Sequence, residues 1–207
     1  MRGIHDAGMQ SHLVEFLQIT ATAALALSVF AACLSIVGKL GAVGRNIVGA
    51  FSRAPLLDLL VALLTWIPWV LASIRAGWIG LLAVLVGQMI ALGLWCFVHE
   101  LAHRDAARGP RIVKFINRTV GRGRNHLALW LTLVALPRFW FIRFLEIGAY
   151  WPLVVLLGFP RYRQSEWVNV SRHKFDGLVG HDLIWCLYCD WMTGVYALGG
   201  EMLRNVE

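Results

Sequence analysis

The chain has 207 residues, 58% of them hydrophobic and 15% charged, and a mean hydropathy of +0.65, whereas soluble domains average roughly 45 to 50% apolar and about 25% charged. These figures exclude a water-soluble globular fold. Apolar runs long enough to span lipid recur from one end of the chain to the other, which also excludes disorder, a collagen-like repeat and a coiled coil. Lys and Arg number 19 against 12 Asp and Glu, a formal charge of +7. In a membrane protein this excess is a topological signal and an attraction to a lipid bilayer with anionic headgroups. The basic run from Arg104 to Arg124 lacks the interleaved aromatics of nucleic-acid readers, so no nucleic acid is expected as a partner.

The pattern predicts an all-α, polytopic transmembrane helix bundle with four to six membrane segments, built as a single integral membrane domain over 1–207. Leu13 to Gly38 is apolar apart from Glu15 and Gln18 and exceeds a bilayer core of about 30 Å at 1.5 Å per residue. It reads as a first span near 13–38 and not as a cleaved leader, because Asp6 and Glu15 spoil a basic n-region. A second span near 56–74 carries Pro68, and a third near 78–101 carries Gln88. Only Ser73 to Gly77 separates these two, which predicts an antiparallel hairpin with Arg75 at the turn. Basic residues follow spans one and three, so the positive-inside rule puts those segments in the cytoplasm and the N-terminus outside, as in a bacterial inner (cytoplasmic) membrane protein. The stretch 126–159, broken at Pro137, reads as a hairpin, a re-entrant pair or a helix lying in the interface. A last segment covers 183–203 and contains Asp190, a carboxylate that needs a partner, for which Arg143 or a metal site is a candidate.

Chemistry concentrates at the end of the third span, where His99-Glu100-Leu101-Ala102-His103 forms an H-E-x-x-H. On a helix His99 and His103 are i and i+4 and lie on one face, able to close on a single metal ion. Glu100 sits beside them, where a carboxylate could take a proton from a metal-bound water of lowered pKa. Glu100 is therefore the candidate catalytic base, and His99 and His103 are candidate metal ligands. A second polar cluster, His173 to Asp182, holds two His and two Asp and could complete the site through His181. Asp182 reads equally as a cap of the last helix.

The H-E-x-x-H at the end of an apolar span resembles the zinc motif of site-2-protease-type intramembrane metalloproteases, whose third ligand is an Asp in a Leu-Asp-Gly motif. Phe175-Asp176-Gly177 corresponds to that motif, and the resemblance implies Asp176 as a third ligand, zinc as cofactor and a membrane-protein substrate. The stretch lacks the family's prolines and is one residue short between Asn169 and Asp176. The His-Glu-Leu-x-His string also resembles the first histidine box of membrane alkane hydroxylases and fatty-acid desaturases, which implies iron. Five histidines, His99, His103, His126, His173 and His181, fall on the predicted cytoplasmic side.

Cys186 and Cys189 form an isolated C-x-x-C that more often packs than reacts. Two functions follow. One is a membrane-embedded metal-dependent hydrolase, a zinc intramembrane protease. The alternative is a non-catalytic structural or assembly subunit of a membrane complex, in contact with partner subunits, with a di-iron oxygenase-like protein as a third possibility.

Overall fold

The computed structural model describes residues 2–206, with side chains over 9–206. It is 83% helical, with no strand among the described residues. The physical reason is that lipid offers no hydrogen bonds to the backbone, so an apolar segment must satisfy its own N–H and C=O groups, which a helix does within one segment. In order, the elements are α1 (Arg2–Val37), α2 (Gly41–Phe51), α3 (Leu56–Leu64), α4 (Trp66–Ala102), α5 (Arg104–Arg108), α6 (Ile112–Val120), α7 (Arg122–Leu133) and α8 (Leu136–Phe144). A π-helical turn (Leu145–Ala149), α9 (Tyr150–Leu157), α10 (Gln164–Trp167), a 3-10 turn (Arg172–Lys174) and α11 (His181–Arg204) complete the chain.

Among the described residues three helical stretches, Met9–Val37, Trp66–Ala102 and Arg122–Leu157, are long and apolar enough to cross a membrane. That is fewer than the four to six segments expected. The segment at 56–74 is not one helix, because α3 stops at Leu64 and the chain from Trp66 onward belongs to α4. α11 carries Asp182, Asp190, Glu201 and Arg204 along its length and is too polar to qualify.

The chain divides into two compact units, Met1–Phe51 with Asp58–Val98, and Ser52–Leu57 with His99–Glu207. In the first, α4 breaks at Ala76 and at Gly77, whose φ of 58° is a left-handed conformation open to glycine. The chain doubles back there, as the short 73–77 connection predicts. Gln88 lies beside the residues on the other arm: its amide donates to the Leu64 and Thr65 carbonyls at 2.9 Å each, and its oxygen accepts from the Trp69 indole at 2.6 Å. Those carbonyls sit where the helix is interrupted between α3 and α4, so Gln88 satisfies backbone groups that the break leaves without helical partners. α1 packs on the returning arm through Ile19, Ala83 and Val84, and the Thr20 hydroxyl donates to the Ala83 carbonyl at 3.1 Å. A Cβ at Gly87 would stand 2.8 Å from the Thr20 carbonyl oxygen and 2.9 Å from the Ala23 Cβ.

In the second unit, the region 126–159 is a nearly continuous helical run and not the hairpin or re-entrant pair expected. Pro137 falls in the first turn of α8, where a missing N–H is tolerated. Ala135, just before α8, is in the right-handed helical region, and no residue from His126 to Leu157 has the positive φ that a tight reversal would use; the first is Gly158, which ends α9. Arg143 and Glu146 pair with each other at 2.7 Å, and Arg143 also donates to Gln164 Oε1 at 2.8 Å. α8 and α11 meet through Trp140 and Trp191, with ring centroids 5.3 Å apart. Gly194 on α11 admits the Trp167 backbone to the same core.

Replacing Gly87 by Leu forces the α1 backbone outward, and overpacking of this kind costs about 1–3 kcal/mol. We expect a lower melting temperature for Gly87→Leu in detergent, with Gly93→Leu, whose Cβ would meet open space, close to wild type.

Candidate functional site

The end of α4 leads into the second unit, and all candidate site residues lie there. The Arg111 guanidinium is 7% exposed and is held between two carboxylates. Its Nη2 donates to Glu100 Oε1 at 2.8 Å, its Nε to Asp182 Oδ2 at 2.6 Å, and Nη2 also to the Val179 carbonyl at 3.1 Å. Asp182 is 4% exposed, and its second oxygen accepts the Val113 N–H at 2.9 Å. Asp182 therefore caps the start of α6, not its own helix, and satisfies one of the N–H groups that a helix start leaves over. Glu100 also accepts the backbone N–H of His181. Burial opposes the Arg111 charge, but the hydrogen bonds and charges of Glu100 and Asp182 outweigh it and hold the guanidinium above its ordinary pKa.

Gly180 sets the geometry of the closing loop. Its φ is +52°, and a Cβ there would run into the Glu100 carboxylate. Glycine is thus required both by the left-handed turn and by the approach of Glu100.

The histidine pair lies as the i, i+4 spacing predicts, with the His99 and His103 rings stacked at 4.3 Å and 24° apart. Their tautomers differ. His103 Nδ1 lies 3.0 Å from the His99 carbonyl, an acceptor only, so Nδ1 carries the proton and Nε2 is the basic nitrogen. This is the arrangement of a metal-ligating histidine. His99 is the opposite case: its Nδ1 accepts the Gly180 N–H at 3.2 Å, which puts the ring proton on Nε2 in the neutral form. His181 is likewise an acceptor, taking the Trp185 indole N–H at Nε2, 3.0 Å away, and its ring meets His126 edge-on at 5.6 Å. Asp176 stands exposed in a turn. Among the described residues no group of three His, Cys, Asp or Glu is arranged to hold a metal ion. As placed, the donor set does not fit a bound zinc or iron: His99 would have to give up the Gly180 bond, and Glu100 is occupied by Arg111. His5 lies outside the residues whose side chains are described.

Asp190 binds Arg172, not Arg143: Arg172 Nε is 2.8 Å from Oδ1, and the Ser171 and Arg172 N–H groups donate to Oδ2 at 3.1 and 3.2 Å. Burial, with Lys174 beside it, holds His173 below its ordinary pKa. Cys186 and Cys189 are free thiols. The residue that the sequence did not single out is Arg111, one of several arginines in a basic run. Its only signal was Pro110 before it, which starts the segment extended, away from α5.

In comparison with known proteins, no family model matches the chain, and no curated protein or solved structure matches it either.

Arg111→Met leaves the buried Asp182 and the half-buried Glu100 without their cation, and breaking a buried ion pair such as Arg111–Asp182 costs about 3–5 kcal/mol. We expect the variant to unfold at markedly lower denaturant concentration, and the Arg111→Met/Asp182→Asn pair to lose less than the sum of the two single changes. Arg111→Lys should recover only part of the loss, because an ammonium cannot reproduce the guanidinium fork.

Proposed function

We propose that this chain is a non-catalytic structural or assembly subunit of a membrane protein complex, resident in the bacterial inner membrane with its basic loop on the cytoplasmic side. The observation that carries this reading is the Arg111 clasp. Glu100, the group a hydrolase would need as a free base, is ion-paired at 2.8 Å to a buried guanidinium. A carboxylate so engaged is a weak proton acceptor, since any proton it takes must displace a charge-assisted hydrogen bond. The H-E-x-x-H then has a structural meaning: Glu100 anchors the loop before α6, and His99 anchors Gly180 before α11. Partner contact falls to the helix faces. α4 exposes Val86, Met89, Ile90 and Leu94, apolar residues spaced to meet lipid or the helices of other subunits.

A second reading is a zinc-dependent hydrolase, and one feature favours it: the His103 tautomer, with Nε2 basic. In that case His103 and His99 would hold the metal after His99 released Gly180. Iron in the same place would favour the oxygenase-like alternative.

Metal analysis by plasma mass spectrometry of the detergent-purified chain, prepared without chelator, separates these readings. We expect substoichiometric metal, unchanged in a folded His99→Ala/His103→Ala variant. One zinc or iron per chain, lost in that variant, would overturn the structural-subunit proposal.

A further inference from the structure

The segment between α4 and α7 joins two stretches that are long and apolar enough to cross a membrane, and so short a connection between two spans lies near the membrane surface. Within it α6 has three distinct faces. Val113, Ile116 and Asn117 are half-buried and face the protein, with Asn117 Oδ1 accepting from Asn125 Nδ2 of α7 at 2.9 Å. Ile112 and Phe115 are 48% and 70% exposed and share an arc, since i and i+3 lie on one side of a helix. Lys114 and Arg118, i and i+4, are exposed on the remaining arc.

The geometry points to α6 as an in-plane membrane anchor selective for anionic phospholipid, with Phe115 and Ile112 among the acyl chains and Lys114 and Arg118 on the phosphates. An apolar face flanked by cations is the arrangement of an interfacial helix, and each Lys or Arg near the surface adds attraction to anionic lipid. Arg104, Arg108, Arg122 and Arg124 are exposed on either side of α6 and extend the positive surface. A protein partner is the weaker match, because the cores of protein interfaces are depleted in lysine. α6 is also held in advance: Asp182 caps its start through Val113, and Gly121, at φ 88°, turns the chain into α7. Little ordering is left for lipid binding to impose.

Photo-crosslinking of the full chain tests the assignment. p-Benzoylphenylalanine replaces Phe115, or Asn117 as the inward control, in nanodiscs of phosphatidylcholine and phosphatidylglycerol at seven to three, and adducts are read by mass spectrometry. We expect phospholipid adducts at 115 and intramolecular adducts at 117. The ratio of phosphatidylglycerol to phosphatidylcholine adducts at 115 should exceed the ratio in the nanodisc by about fivefold, and this excess should disappear in Lys114→Gln/Arg118→Gln of unchanged melting temperature. Absence of lipid adducts at 115, capture of another protein there, or an excess that survives the double substitution would each overturn the proposal.

Discussion

Burial of the Arg111 guanidinium is the constraint on which the second unit depends. A charge removed from water is tolerated only when its donors are met and its field is balanced. Here that requires a carboxylate from the end of α4, another from the first turn of α11 and the Val179 carbonyl. Two segments remote from each other in sequence, the end of α4 and residues 179–182, are therefore fixed to one guanidinium. The start of α11 suits the two acids, because a helix N-terminus carries partial positive charge. Glu100 accepts the His181 N–H there, and Asp182 lies in the first turn.

The same rule governs the other polar residues inside apolar sequence. Gln88 satisfies carbonyls left over where the helix is interrupted between α3 and α4. Asp190 takes the N–H groups of Ser171 and Arg172 as well as a guanidinium. Arg143 and Glu146 neutralise each other beside a π-helical turn. Each of these polar groups is paired with a specific backbone irregularity or opposite charge, so the interruptions of the helices and the polar residues opposite them form one system.

The histidine pair shows how one spacing supports two chemistries. An i, i+4 arrangement brings His99 and His103 together whether or not a metal is bound, and what distinguishes the outcomes is the partner of each remaining nitrogen. Gly180 has taken Nδ1 of His99, while the His99 carbonyl has fixed Nδ1 of His103 as the donor. The clasp and the amphipathic α6 then meet through Asp182, which touches both Arg111 and Val113.

Sequence alone determined what depends on local pattern and on the solvent: the all-α class, the apolar stretches, a reversal within 73–77 and the placing of His99 and His103 on one helix face. These follow from hydropathy, glycine and the helical repeat, all of which act over a few residues. The partner of each charge was decided only in three dimensions. Seven basic residues lie between Arg104 and Arg124, and nothing local marks Arg111 as the one that Glu100 and Asp182 would bury. Nor could Asp190 be matched to Arg172 in preference to Arg143 from spacing along the chain. The path of 126–159 is decided in the same way: Pro137 suggests an interruption, whereas the backbone keeps helical angles through Ala135, and Trp140 of α8 packs on Trp191 of α11. Ion pairing and packing are interactions between segments, and their energies are set by which groups the fold brings within reach.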